Sequence, residues 1–118
     1  MPRYHNLTVW NHSRVLVRLV ADSVRDTRGE GDLVSQIRRA AISVAANIAE
    51  GAERYHDRDF LRFLRFADGS NAEVQALALI AGDAGILAPA VVQKILDQTT
   101  LVGRLIGGLI RRASGGSG

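Results

Sequence analysis

The chain has 118 residues, 47% of them hydrophobic and 23% charged, with no cysteine and a formal net charge of +3. A chain of this length makes one domain with a core large enough to fold unaided, and the lack of cysteine excludes disulfides, thiolate catalysis and thiolate metal sites. Fourteen of the fifteen basic residues are arginine, the side chain best shaped for forked contact with phosphate or carboxylate, but so small a surplus acts only where it is clustered.

The opening stretch MPRYHNLTVWNHSR lacks the apolar run of a secretory signal. No segment reaches the roughly 18 uninterrupted apolar residues of a membrane span, so no membrane partner and a reducing cytoplasmic location are expected. Helical periodicity begins near Thr8 and runs to about Thr27, with Trp10, Ser13, Val17, Val20 and Val24 at alternating three- and four-residue steps. Arg28 to Asp32 (RGEGD) ends it, two glycines freeing the backbone to turn. A second periodic segment runs from about Leu33 to Arg54, with Val34, Ile37, Ala41, Val44 and Ile48 on one stripe and Asp32 placed as its N-cap.

The third segment runs from about Asp57 to Ala84, carrying Phe60, Phe63, Ala67, Val74, Leu77 and Ala81, and Gly85 reads as its stop. Ala88-Pro89 opens a fourth, to about Arg112, with Val92, Ile95, Thr99, Val102, Ile106 and Leu109 in line. Arg111 and Arg112 fall in its last turn, where cations suit the carbonyl end of the dipole. No segment alternates apolar and polar residues as a strand would. The expected fold is therefore all-α: an antiparallel up-down-up-down four-helix bundle over residues 1–113, followed by a flexible SGGSG tail at 114–118.

Leu96, Leu101, Leu105 and Ile110 lie outside the fourth stripe, and Gly103 and Gly107 form a G-x-x-x-G step. Such an apolar surplus serves either a partner surface, with self-association the simplest, or tight packing within one chain. The conspicuous polar chemistry is arginine. Arg58, Arg62 and Arg65 fall on one helical face at i, i+4 and i+7, with Arg54 just upstream and the pair Arg38 and Arg39 on the preceding helix. Phosphate contact is the functional reading. A solvated face laced with Glu53, Asp57 and Asp59 is the commoner use of such a run.

Asn47 and Glu50 interrupt an Ala/Ile/Val stretch, with Ser43 one turn before Asn47 and Arg54 one turn after Glu50. With Ser70 and Glu73 on the next helix, they read as groups that set helix register rather than as acid–base machinery. His56, Asp57 and Asp59 diverge too much on a helix to share a metal, and His5 and His12 have no evident partner ligand. No phosphate-binding glycine loop, Ser-x-x-Lys pair or H-E-x-x-H step occurs. Hence no catalytic residue, metal or cofactor is expected.

Val9-Trp10, the block Gln36 to Ala40, Ser43-Val44, Asn47 to Gly51, Arg54, Phe60, Arg62 to Leu64, Ala67, Gly69-Ser70, Glu73 and Gly85-Ile86 together resemble a known family. These are the bacterial four-helix-bundle proteins first noticed as reading frames in intervening sequences of 23S ribosomal RNA genes. The resemblance covers nearly the whole chain apart from the tail. It implies an up-down-up-down bundle assembled as a homopentameric ring, the partner being another copy of the chain. Through the similar accessory variability determinant of diversity-generating retroelements, it also implies association with RNA or DNA and with a reverse transcriptase or other nucleic-acid enzyme. His56 stands where the family commonly has Ser or Thr, which shifts the expected N-cap to Asp57, and Asn11-His12-Ser13 is less helix-favouring than the family's usual sequence.

The expected function is thus non-enzymatic: a self-assembling bundle that binds nucleic-acid phosphates through Arg38, Arg39, Arg54, Arg58, Arg62 and Arg65. The alternative is an adaptor that presents a protein surface to a nucleic-acid enzyme.

Overall fold

A computed structural model describes residues 4, 7–27, 31–54 and 56–115. Four helices account for most of them: α1 (Thr8–Val24), α2 (Gly31–Ala52), α3 (Asp57–Asp83) and α4 (Pro89–Ala113), with no strand among the described residues. The helix pairs in contact are α1–α2, α2–α3, α3–α4 and α1–α4. The chain therefore passes round the bundle from neighbour to neighbour, and α4 closes against α1. The result measures 46 × 28 × 20 Å, the elongated form expected when helices of 17 to 27 residues lie side by side.

Helix ends follow from local chemistry. Gly85 takes φ +75°, a left-handed value that costs a side-chain-bearing residue about 1 kcal/mol or more. It lets Ile86 N–H donate to Ala81 O at 2.9 Å and Gly85 N–H donate to Gly82 O at 3.1 Å, which ends α3 in a Schellman motif. Three residues later Ala88 is extended and Pro89 occupies the first turn of α4, where its missing N–H costs nothing. Two expected caps are displaced. Asp32 lies inside the first turn of α2, which starts at Gly31, so it acts on the dipole rather than as the N-cap. His56, not Asp57, holds the N-cap position of α3, and no side-chain hydrogen bond closes it. Most of the RGEGD turn, Arg28 to Glu30, lies outside the described residues, as do His5 and the last three residues of the tail.

The core is a continuous seam of Leu16, Val20, Ile37, Val44, Ile48, Val74, Ile95, Val102 and Ile106, all essentially without solvent exposure. Each such side chain contributes about 1.5–3 kcal/mol on leaving water. The predicted stripes of α2 and α4 match it, except that Val34 and Leu109 are only partly buried. On α1 the buried seam is Val9, Ser13, Leu16, Val20 and Val24, while Trp10 and Val17 lie on its edge toward α2. On α3, Leu64 takes an inner position, whereas Phe60 and Phe63 are half-buried in the first two turns, against Gly51 near the end of α2.

The apolar surplus of α4 is partly buried. Leu96, Leu105 and Ile110 pack on the core and Leu101 is half-buried. A Cβ at Gly103 would sit 3.3 Å from Asn71 Nδ2 of α3, so that glycine serves packing within the chain. Gly107 meets only Arg111 of its own helix. Large exposed hydrophobics instead occur at Val15, Ile42, Phe66, Leu79 and Ile80, on α1, α2 and α3.

Candidate nucleic-acid interface

α2, α3 and the connection between them carry the six arginines, and polar groups fix the register of the helix pair. Ser43 and Ser70 share a hydrogen bond of 2.8 Å across the interface. Asn47 Nδ2 donates to Ser43 O at 2.8 Å and to Ser43 Oγ at 3.0 Å, which holds that serine in place. Further along, Gly51 admits α3 so closely that a Cβ there would lie 2.8 Å from Phe63 Cβ. Glu73, expected to join this network, is exposed and makes no hydrogen bond with a described side chain. Deeper in, Asn71 Nδ2 donates to Thr99 O at 2.9 Å, tying α3 to α4, while its Oδ1 is buried with no partner among the described residues.

This register divides the arginines into two groups. Arg38 and Arg39 are exposed on α2 about one turn before Ser43. Arg65 lies about one turn before Ser70 on the antiparallel neighbour, hence on the other side of that hydrogen bond. About nine residues of axial distance separate Arg39 from Arg65, roughly 14 Å at 1.5 Å per residue. Arg54, Arg58, Arg62 and Arg65 gather instead around the α2–α3 connection, all exposed.

Within that second group the environments differ. Arg54 pairs with Glu50 one turn back and lies over the Phe63 ring, 4.9 Å from its centroid. Arg62 covers the same ring at 5.2 Å. A guanidinium on an aromatic face is held by the ring quadrupole while its edge N–H groups remain available to an anion. Neither Arg58, Arg62 nor Arg65 makes an ion pair with a described residue. Asp57 and Asp59 sit on either flank of Arg58, about a hundred degrees round the helix, in the first turn where carboxylates complement the dipole. Acidic lacing thus reaches Arg54, through Glu50, and does not extend as ion pairs to Arg58, Arg62 or Arg65 among the described residues. What remains is a two-turn row of open guanidinium groups.

A second surface was not foreseen. Between α1 and α2 lies a groove of about 500 Å³, lined by Tyr4, Trp10, Val17, Ile42, Ala45, Ala46 and Ala49 with Arg14 and Arg18. Arg14 stands over the Trp10 ring at 4.8 Å. The signal was present in Trp10 and Val17, which recur at seven residues one position off the Val9–Leu16 seam, and in the alanines facing them.

Compared with known families, residues 5–108 match the family described as 23S rRNA-intervening sequence protein. No curated protein matches the chain.

Proposed function

The chain belongs to the 23S rRNA-intervening sequence protein family, and we propose that it is a non-enzymatic, self-assembling bundle that binds RNA or DNA phosphates through α2 and α3. The observation that carries this reading is the row Arg58, Arg62 and Arg65: exposed, on one face, and without an ion pair among the described residues. Arginine supplies charge and forked donors and no acceptor, so these groups suit phosphate contact rather than proton transfer. Arg54 supports the row from the α2–α3 connection, and Arg38 and Arg39 on α2 form a second, more distant contact. Such contacts read phosphate rather than base sequence.

Fluorescence anisotropy with labelled RNA and DNA, single- and double-stranded, tests the reading across a salt series. Affinity should fall steeply with salt as counterions are no longer usefully released. Replacing Arg58, Arg62 and Arg65 together by Glu should weaken binding more than about tenfold at ~0.1 M salt while helicity by circular dichroism stays unchanged. Retention of nucleic acid by that variant would remove the row from the site. Absence of salt-sensitive binding in the unaltered chain would favour the adaptor reading, with a nucleic-acid enzyme as the partner.

A further inference from the structure

We propose that Phe66 is a stacking platform for an unpaired base, so that the arginine row of α3 takes single-stranded nucleic acid in preference to duplex. This deepens the phosphate-binding reading above and rests on it. Phe66 is 52% exposed, although a phenyl ring is among the side chains that gain most from leaving water. Its ring meets Phe63 in a T-shaped contact, with centroids 5.8 Å apart and planes at 86°. Phe63 in turn lies under the guanidinium groups of Arg54 and Arg62, at 4.9 and 5.2 Å. The open ring is thus braced by a second ring and joined through it to two of the arginines.

A lone exposed phenylalanine is ordinary. Gly69 sets this one apart. It lies three residues after Phe66 and four after Arg65, in the interior of α3, where glycine disfavours the helix. A Cβ at Gly69 would meet nothing within 4 Å, so no packing among the described residues calls for glycine there. A helical side chain leans toward the N-terminus and covers the turn before it. Any side chain at this position would therefore lie over Phe66 and Arg65, and glycine leaves the notch between ring and guanidinium open.

Charge limits where a strand can run. Asp68 is exposed about 160° round the helix from Phe66. Asp59 and Glu73 lie seven residues before and after Phe66, about 10 Å along the axis in each direction. By the Ser43–Ser70 register Asn47 is level with Phe66, while Glu50 and Glu53 lie one and two turns toward the α2–α3 connection, where Glu50 pairs with Arg54. Around the ring itself the charged neighbours are Arg62 and Arg65, both exposed and without an ion pair among the described residues. An aromatic face beside guanidinium groups holds a single strand by stacking its bases and pairing its phosphates, without reading sequence. In a duplex the base faces are covered by their neighbours, and a ring on a helix surface finds only phosphates and groove edges. Phe66 therefore adds affinity for the single strand alone.

Fluorescence anisotropy with a labelled oligothymidylate and with a duplex of the same length tests the stack. The proteins are the full chain and its variants Phe66→Leu, Phe66→Trp and Gly69→Gln, whose positions are exposed, so circular dichroism should show unchanged helicity. Phe66→Leu keeps apolar bulk but has no π face. It should weaken oligothymidylate binding about fivefold or more, with duplex affinity and the salt slope unchanged because no charge is lost. Phe66→Trp should bind the single strand as the unaltered chain does, and oligothymidylate should quench its added emission. Gly69→Gln should raise the thermal midpoint yet weaken single-strand binding, a combination that a purely structural role for this glycine does not give. Equal losses on both ligands in Phe66→Leu would make the ring a brace for the arginines and overturn the stack. Unchanged single-strand affinity would overturn it while leaving the phosphate row intact. A changed subunit count by light scattering in Phe66→Leu would assign the ring to a protein contact and overturn it as well. An unaltered chain without salt-sensitive binding would remove the phosphate reading, and the stack with it.

Discussion

At Gly51 the α2 backbone faces Phe60 and Phe63, and a Cβ built there would meet Phe63 Cβ at 2.8 Å and Phe60 Cδ1 at 3.0 Å. A Cβ cannot swing aside as the end of a long side chain can, so Gly51→Ala must push α3 outward. Overpacking of this kind costs about 1–3 kcal/mol, against roughly 1 kcal/mol gained by replacing a helical glycine with alanine. Gly51→Ala should therefore lower the thermal midpoint by a few degrees; an unchanged or raised midpoint would mean that the two helices have slack. Asn71 poses the opposite case. Its amide donates to Thr99 O, but its Oδ1 is buried unpaired, so the residue is only half satisfied. Leucine removes both polar groups at similar volume, whereas alanine leaves a cavity. Asn71→Leu should be more stable than Asn71→Ala by about 1 kcal/mol or more in denaturant titrations. The reverse order would show that the Thr99 hydrogen bond outweighs the orphaned oxygen. Neither residue was legible beforehand in this role. Gly51 and Asn71 stood in the sequence as a glycine and an amide inside helices, and only the approach of another helix gives them their work.

Along an element, what was legible depended on whether the determinant is local. Gly85 and Pro89 end α3 and start α4 by their own backbone chemistry, and both boundaries fall within a residue of expectation. On α1 the expected stripe holds at Ser13, Val20 and Val24 but took Trp10 and Val17 for Val9 and Leu16, apolar neighbours a hundred degrees apart between which periodicity alone cannot choose. The core takes Val9 and Leu16, leaving Trp10 and Val17 to the groove. The arginines show the same limit. Their spacing placed Arg58, Arg62 and Arg65 on one face, but the 14 Å of axis between Arg39 and Arg65 depends on how α2 and α3 register. That separation makes a prediction distinct from charge reversal. If each open guanidinium neutralises one phosphate, Arg58, Arg62 and Arg65 changed together to Ala should reduce the slope of log K against log salt by about 3, and the Arg38/Arg39 double change by about 2 on a duplex long enough to reach both groups. On a ligand of a few nucleotides the two groups cannot be engaged together, and there only one of the changes should alter the slope. Equal effects of both on the short ligand would mean that the groups converge on one site.

Taken whole, the bundle closes through contacts between α1 and α4 that join the two ends of the chain. Gln98 Nε2 donates to His12 O at 2.8 Å, and a single buried cluster takes side chains from all four helices, Leu16 to Ile106. Leu96, Leu105 and Ile110 of α4, which in sequence pointed equally to a partner, pack in part against that core. The large hydrophobics that are exposed lie on the other three helices, where no excess of hydrophobicity marked them. A core shared by all four helices predicts cooperative loss of structure. Trp10, on α1 and unique in the chain, reports local order there, while far-UV circular dichroism reports all four helices. In guanidinium titrations at one protein concentration, the two signals should give superimposable curves with a common midpoint and slope. A tryptophan red shift that precedes the loss of helicity would show α1 leaving an α2–α3–α4 remnant. Closure by α1 would then be an addition to the fold rather than a condition of it, and the groove that α1 forms with α2 would open before the rest of the molecule unfolds.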